Sequence, residues 1–396
     1  MLKFEELESL IEQEFACAVD LRRRIHREPE LGNNEVKTAE KVVNYLQGEP
    51  LDVRDKISGH GLIVTLQGGK AGRTIMFRGD MDALPIHEDN TLDFKSIIPN
   101  IMHACGHDVH TTLLAACARV LCKVQPHLKG NVKFMFQPAE ECAPEGGAKR
   151  MLAAGILDNP KVDEAYALHV ADLPLGQISF RPGVANSTSD NLYIDVYGKS
   201  SHGSQPHEGY DAIVAAGSVI GAVQTVVSRN LPLSERAVIT IGTIEGGTAL
   251  NIVADKVSMT GTVRAFSSKA VEIVKERLQT VVENTAAAYG CRAQLRYEDG
   301  YDFIYNDLQL SEDIKSSIGE LLGSENIIIQ PEPLPAGEDF SFVSKQVPSV
   351  FMWVGARDTN YPQDCIIHNP RFMIDEAVIR QGLRIMCKIV YDKLIK

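Results

Sequence analysis

Between Met102 and His110 the chain places three histidines, one cysteine and one aspartate in nine residues, directly ahead of the apolar run Thr111-Thr112-Leu113-Leu114-Ala115-Ala116. Imidazole and thiolate are good ligands for zinc-like and other transition ions, and Gly106 lets the backbone turn sharply between Cys105 and His107. Two side chains cannot fill a coordination sphere. The fold must therefore bring further donors to this loop from elsewhere in the chain, which calls for a scaffold whose segments converge on one edge.

The hydrophobic pattern supplies such a scaffold. Residues 4–28 read as a helix that stops where proline and glycine punctuate Glu28-Pro29-Glu30-Leu31-Gly32, and residues 35–47 read as a second. Short apolar strands at 61–66, 74–77, 132–136 and 165–168 alternate with helices at 107–124 and 148–154, which predicts an α/β layer with a largely parallel sheet. After Arg181-Pro182-Gly183 the pattern changes. Strand 192–197, helix 211–228, strands 238–244 and 257–263, helix 269–289 and strand 292–297 follow in the order β-α-β-β-α-β, a ferredoxin-like insert. The α/β pattern then resumes, with strand 350–354 and a closing helix at 375–395. The expected division is 1–183 and 299–396 for the main domain and 184–298 for the insert.

Composition excludes several function classes. A net charge of -12 argues against nucleic acid as the main partner. No apolar run is expected to reach the length of a membrane span, and the acidic start Met1-Leu2-Lys3-Phe4-Glu5-Glu6-Leu7 lacks a signal-peptide core, so a cytoplasmic protein is expected. The eight cysteines (17, 105, 117, 122, 142, 291, 365 and 387) form no CxxC pair, and free thiols are predicted. Arg22-Arg23-Arg24 reads as a solvated helix end.

Further donors then emerge at the strand ends. Arg78-Gly79-Asp80-Met81-Asp82 closes one strand with two carboxylates, Gln137-Pro138-Ala139-Glu140-Glu141 closes another with adjacent glutamates, and Leu168-His169-Val170 closes a third; His368 follows the last strand. Sites in open α/β sheets form at the carboxyl ends of strands. Taken singly, each of these has an ordinary explanation: a solvated turn, a hydrogen-bonded histidine or a cap. Their joint occurrence in register with the strand ends points instead to metal ions that polarise a carbonyl and activate water.

These motifs resemble the M20 family of metallo-aminoacylases and carboxypeptidases. The branch is the M20D-like one of hippurate hydrolases, plant indole-acetyl-amino-acid hydrolases and N-acetyldiaminopimelate deacetylases. The likeness is ordered along nearly the whole chain. It includes Leu21-Arg22-Arg23-Arg24-Ile25-His26-Arg27-Glu28-Pro29-Glu30-Leu31-Gly32, Ser201-His202-Gly203-Ser204-Gln205-Pro206-His207-Glu208-Gly209, Gly246-Gly247-Thr248-Ala249-Leu250-Asn251, Gly337-Glu338-Asp339-Phe340 and His368-Asn369-Pro370.

The resemblance implies a zinc-exopeptidase-like catalytic domain with an inserted lid and dimerisation domain. It also implies two divalent ions per subunit, zinc or manganese with cobalt or nickel as alternatives, held by Cys105, His107, Glu141, His169 and His368. Glu140 matches the general base that serves the attacking water and the leaving amine. Asp82 matches a carboxylate that orients a ligand, and Asp80 joins the catalytic carboxylates where many relatives carry a ligand histidine. His202 matches a histidine that helps hold the developing oxyanion in the partner subunit's site, while Asn251 and Arg264 match contacts to the substrate. Two departures stand out. Cys142-Ala143-Pro144-Glu145 intervenes before Gly146-Gly147, and Ala336-Gly337 replaces the usual Gly-Ser. The implied activity is hydrolysis of N-acyl (acetyl or aromatic acyl) amino acids by a homodimer. A metallo-dipeptidase or aminopeptidase, and a non-catalytic metal-stabilised binding protein, are the alternatives.

Overall fold

Alternation of apolar runs with amphipathic ones builds the layers, and a computed structural model describes them for residues 2–358 and 366–396. Helices α1 (Phe4–Arg27) and α2 (Val36–Tyr45) precede strands β1 (Asp52–Ile57), β2 (Gly61–Gln67) and β3 (Lys70–Asp80). Next come α3 (His107–Cys122), β4 (Lys129–Gln137), α4 (Ala148–Ala153), β5 (Glu164–Pro174), β6 (Ile178–Phe180) and the short β7 (Gly183–Val184). The chain continues through β8 (Ser189–Tyr197), α5 (Ala212–Thr225), β9 (Ala237–Gly246), β10 (Lys256–Ala265), α6 (Ser268–Ala288) and β11 (Arg292–Tyr301). It finishes with β12 (Tyr305–Asn306), α7 (Leu308–Leu322), β13 (Ile327–Ile329), α8 (Ser341–Ser344), β14 (Ser349–Arg357) and α9 (Ala377–Val390).

Two compact units result. The first comprises Met1–Ala185, Ile304–Glu332 and Asp339–Lys396, and the second comprises Asn186–Phe303 and Pro333–Glu338. In the first, eight strands lie in the order β1-β2-β4-β3-β5-β14-β6-β13. The central run β4-β3-β5-β14 is wholly parallel, and antiparallel pairs flank it. One face of the sheet carries α1, α3 and α9 over a core that includes Ile25, Phe77, Leu114, Phe134, Tyr166 and Met386. Met76, Met135, Met151, Phe340 and Phe351 fill the other face.

Helix α3 is the centre of this arrangement, with every residue but Arg119 buried. Such a helix is apolar on all sides because α1, α9 and the sheet surround it. Its first residue is His107, so the metal-binding motif sits at the buried helix start, beside the ends of β3 and β4, where Asp80 pairs with Gln137.

In the second unit the four strands are ordered β11-β8-β10-β9, all antiparallel, as the ferredoxin-like β-α-β-β-α-β order requires. Ala215, Val219 and Val223 of α5 and Val274, Leu278 and Val282 of α6 cover one sheet face.

Four expectations need correction. Strand β5 does not stop at His169 but runs on to Pro174, because β14 pairs with it from Ser349 to Arg357. Arg22 is not solvated. It is buried, with Nε 2.7 Å from Asp108 Oδ2, whereas Arg23 and Arg24 are exposed. The run Ala212–Asn230 is long and apolar enough for a membrane span, since the alanines and valines on its sheet-facing side add to exposed Ile213 and Val214. Helix α7 is unassigned in the sequence reading, although Leu310, Ile314 and Ile318 recur at helical spacing behind an Asp307 cap. Seven cysteines are free thiols, and Cys365 lies outside the described residues.

Candidate metal centre

The loop before α3 owes its shape to Gly106. Its φ is +85°, and a Cβ there would stand 2.3 Å from Val170 Cγ2, so both backbone and space demand glycine. The turn after β4 is tight for a different reason. Ala139 takes φ +57°, a conformation that costs a non-glycine residue about 1–2 kcal/mol. Glu35 offsets this cost, because its buried Oε1 accepts the Ala139 N–H at 2.7 Å and the Asn33 N–H at 3.1 Å. Burial, then the charge of Asp82, pushes the Glu35 carboxyl up to about 7.

Cys105, His107 and Glu141 each offer a ligand atom, all within 4.8 Å of one another. Cys105 Sγ also lies 3.5 Å from His169 Nε2, and Glu141 Oε1 lies 3.0 Å from His368 Nε2. All five residues expected as ligands thus belong to one cluster in the first unit. The Nδ1–H of His107 faces Asp82 Oδ1 at 3.2 Å, while its Nε2 is buried without a hydrogen-bond partner. The other Asp82 oxygen accepts the Glu141 backbone N–H at 2.9 Å. One carboxylate therefore fixes both the ring of His107 and the turn that carries Glu141. A thiol, imidazoles and a carboxylate around a buried ring nitrogen that becomes a donor once deprotonated fit a divalent ion.

Protonation follows the packing. Burial pushes the Cys105 thiol up to about 12, with His107 opposing. Burial alone would depress His107, but Asp80, Cys105 and Asp82 outweigh it and hold its pKa well above the usual histidine range. His169 moves the other way, held well below that range by burial and by His110. A thiol and an imidazolium must lose protons to become ligands, so ion uptake here is coupled to proton release.

Asp80 and His110 lie in the same cluster; with His107 and His169 they offer ligand atoms within 4.8 Å of one another. Both Asp80 oxygens are nevertheless engaged, Oδ2 by Arg78 Nη1 and Oδ1 by His110 Nδ1, each at 2.6 Å. Arg78 also reaches Gln137 Oε1 at 2.8 Å and Asp339 Oδ1 at 2.9 Å, tying the ends of β3 and β4 to the segment before α8. Glu140 is buried and offers an oxygen within 4.8 Å of an Asp339 carboxylate oxygen.

The remaining expected residues belong to the second unit, where the His202 and Asn251 loops meet and Arg264 stands apart on β10. His202 bridges Ile252, and the Gly203 N–H donates to the Asn251 carbonyl at 2.8 Å. His202 Nδ1 accepts from the Ser204 N–H at 3.2 Å and lies 2.8 Å from Ser204 Oγ, so the ring proton sits on Nε2. Asn251 is exposed, and Arg264 on β10 is half-buried and donates to the Val263 carbonyl at 3.1 Å. Arg78, His110 and Glu35 join the site without a role predicted from sequence. His110 was visible in the motif, but Glu35 gives no signal beyond one more acidic residue at a helix start.

Comparison with known proteins finds relatives of this chain. Residues 76–392 match the model of Peptidase family M20/M25/M40. The chain is 36% identical over 370 residues to an N-acetyldiaminopimelate deacetylase of Bacillus pumilus, covering 93% of this chain and 96% of that one. It is 35% identical over 363 residues to an N-acetylcysteine deacetylase of Bacillus subtilis, covering 91% and 92%. Among solved structures, a dinuclear metal-binding M20 peptidase of Bacillus subtilis superposes with a TM-score of 0.82 at 31% identity, covering 96% of this chain and 98% of that chain.

Proposed function

The chain belongs to peptidase family M20/M25/M40, and from that premise we propose that it hydrolyses N-acyl amino acids, acetyl or aromatic acyl, to a carboxylate and a free amino acid. The buried, unpartnered Nε2 of His107, set between Cys105 and Glu141, carries this proposal. The deacetylase names of two relatives favour an acyl amide over a peptide. Cys105, His107, Glu141, His169 and His368 would hold two divalent ions, zinc or manganese first, with cobalt or nickel suited to the same donors. Such ions, when bound, polarise the acyl carbonyl and acidify water.

The chain's own residues do the rest. Asp82 keeps the His107 ring and the Glu141 turn in place through its two oxygens. Glu140 takes a proton from water as the oxygen adds to the acyl carbon, and returns it to nitrogen as the C–N bond breaks. His202 supports the oxyanion with its Nε2–H, the proton that the Ser204 contacts leave on that nitrogen. Asn251 and Arg264 hold the carboxylate of the amino acid.

The second unit is proposed as a lid through which two copies pair. Strand β9 is an edge strand, with one side of its backbone unpaired by the sheet. On α5, Ile213 and Val214 are exposed, and a Cβ added at Gly217 or Gly221 would meet nothing within 4 Å. A second copy can extend the sheet and lay its own helix on this face. Light scattering that finds only monomer at micromolar concentration would remove this part. The compartment is proposed as the cytoplasm, where the free thiols stay reduced.

The test is reconstitution of chelated protein with zinc, manganese, cobalt or nickel, followed by assay of released amine from N-acyl amino acids and matching dipeptides. Faster release from the N-acyl compounds is expected. Release from the dipeptides alone would make the protein a dipeptidase, and metal-loaded protein that binds but releases nothing would be a binding protein.

A further inference from the structure

The cluster of Asp80, His107, His110 and His169 has more potential donors than the proposed ligand set uses, and hydrogen bonding decides which are free. The β3–β5 ladder ends at the pair Arg78–Ala167, so beyond it the backbone of β5 is open to side chains. Val170 is taken up there by two imidazoles. Its N–H donates to His110 Nε2 at 2.9 Å, and its carbonyl accepts from His169 Nδ1 at 2.7 Å.

A backbone N–H can only donate, so His110 Nε2 is the accepting nitrogen and the ring proton lies on Nδ1. That proton points to Asp80 Oδ1 at 2.6 Å, and Arg78 holds the other Asp80 oxygen. The Thr111 hydroxyl donates to the Asp80 carbonyl at 2.7 Å and pins the strand end beneath the pair. A carbonyl can only accept, so His169 carries its proton on Nδ1 and turns a bare Nε2 toward Cys105.

We infer that Arg78, Asp80, His110 and the Val170 backbone form a positioning relay that sets the tautomer and aim of His169, and that neither Asp80 nor His110 is itself a metal ligand. The inference rests on the reading of His169 as a ligand. Its purpose is geometric: His169 has no carboxylate of its own among the described hydrogen bonds, in contrast to His107, which has Asp82. The peptide of Val170 carries the constraint from Asp80 in its place. Relay members are positioning residues, because none touches the reacting atoms in this reading.

Asp80→Asn tests the relay with almost no change of shape. Arg78 only donates, so it keeps the amide oxygen of the new side chain and turns the NH2 group toward His110 Nδ1. That nitrogen must then accept, the ring proton moves to Nε2, and two donors confront each other at Val170. In wild-type protein titrated with zinc, long-range 15N spectra of the histidine rings should show His110 protonated on Nδ1 before and after loading, with the signal identified by its loss in His110→Asn. In Asp80→Asn the tautomer should reverse, and one of the two zinc ions should bind about 10–100-fold more weakly while the other is retained. If Asp80→Asn does not fold, His110→Asn reads the same effect. It still donates to Asp80 but cannot reach the Val170 N–H, and one ion should weaken in the same way.

Wild-type affinity for both ions in either variant would overturn the relay. A His110 Nε2 resonance that moves to the metal-bound position on zinc loading would overturn it too, by making His110 a ligand. A wild-type chain that takes up no zinc would overturn the metal reading, and the relay with it. Cobalt substitution adds a check independent of turnover. The thiolate-to-cobalt band of Cys105 should persist in Asp80→Asn, and its disappearance would mean general collapse of the site and count against a relay confined to His169.

Discussion

The two groups of candidate site residues are held in opposite ways. Around the β3, β4 and α3 ends, Cys105, His107 and His169 are buried, and Asp82, Glu35 and the Val170 backbone fix the rings and turns. In the second unit, His202 and Asn251 lie on exposed loops, and the His202 ring is oriented by its neighbour Ser204. Metal ligands must be placed before the ion arrives, which demands rigidity. A donor needed only as charge develops on substrate can come from a surface that closes later. On the proposed function, the contrast is between a preformed centre and donors that act only once substrate is bound.

Replacement of Glu140 by Ala should have the largest effect. As the proposed base it precedes Glu141 in sequence without being one of the proposed ligands, so kcat should fall by about 10⁴-fold while metal content stays at the wild-type value. Loss of metal in that variant would place Glu140 among the ligands and blur the contrast. His202→Ala should come next, with kcat lower by about 10²–10³-fold and both metal content and thermal stability unchanged, as expected for an exposed residue. A drop in melting temperature would show that His202 is structural.

The smallest effect is expected from Glu35→Gln and is read as stability against pH in metal-free protein. Burial raises the Glu35 carboxyl from its ordinary value near 4.3 to about 7, so the folded state holds its proton more tightly than the unfolded one. The resulting stabilisation is complete below the unfolded pKa and is lost as pH rises through about 7. Glu35→Gln keeps the acceptor for Ala139 and should remove this loss, worth on the order of 3–4 kcal/mol by pH 8. Parallel pH curves for the two proteins would contradict a buried, proton-binding Glu35.

Much of this was readable in the residues. The strand–helix alternation and the β-α-β-β-α-β insert come from hydrophobic period, which depends on near neighbours. The five proposed ligands could be found because their residue types are rare at strand ends. The supports could not. Arg22 looks like any surface arginine until Asp108 is folded against it, and β1 is a charged edge strand with five of its six residues exposed, which leaves no alternation to see. Glu35 meets Ala139 across 104 positions of sequence, and His110 meets Val170 across 60. Such contacts are set by tertiary packing, which no local pattern encodes. Asp80 shows the same limit: by residue type and place it belongs with the catalytic carboxylates, and its bonds to Arg78 and His110 reveal how it is engaged.

The central claim is that the buried cluster is a preformed two-ion centre. Equilibrium dialysis of chelated protein against zinc tests it most directly, in the wild type and in Cys105→Ala. Two ions per chain in the wild type, with weakened binding once the thiol is gone, is the predicted result. Fewer than two ions at saturation, or binding untouched by the loss of Cys105, would contradict it.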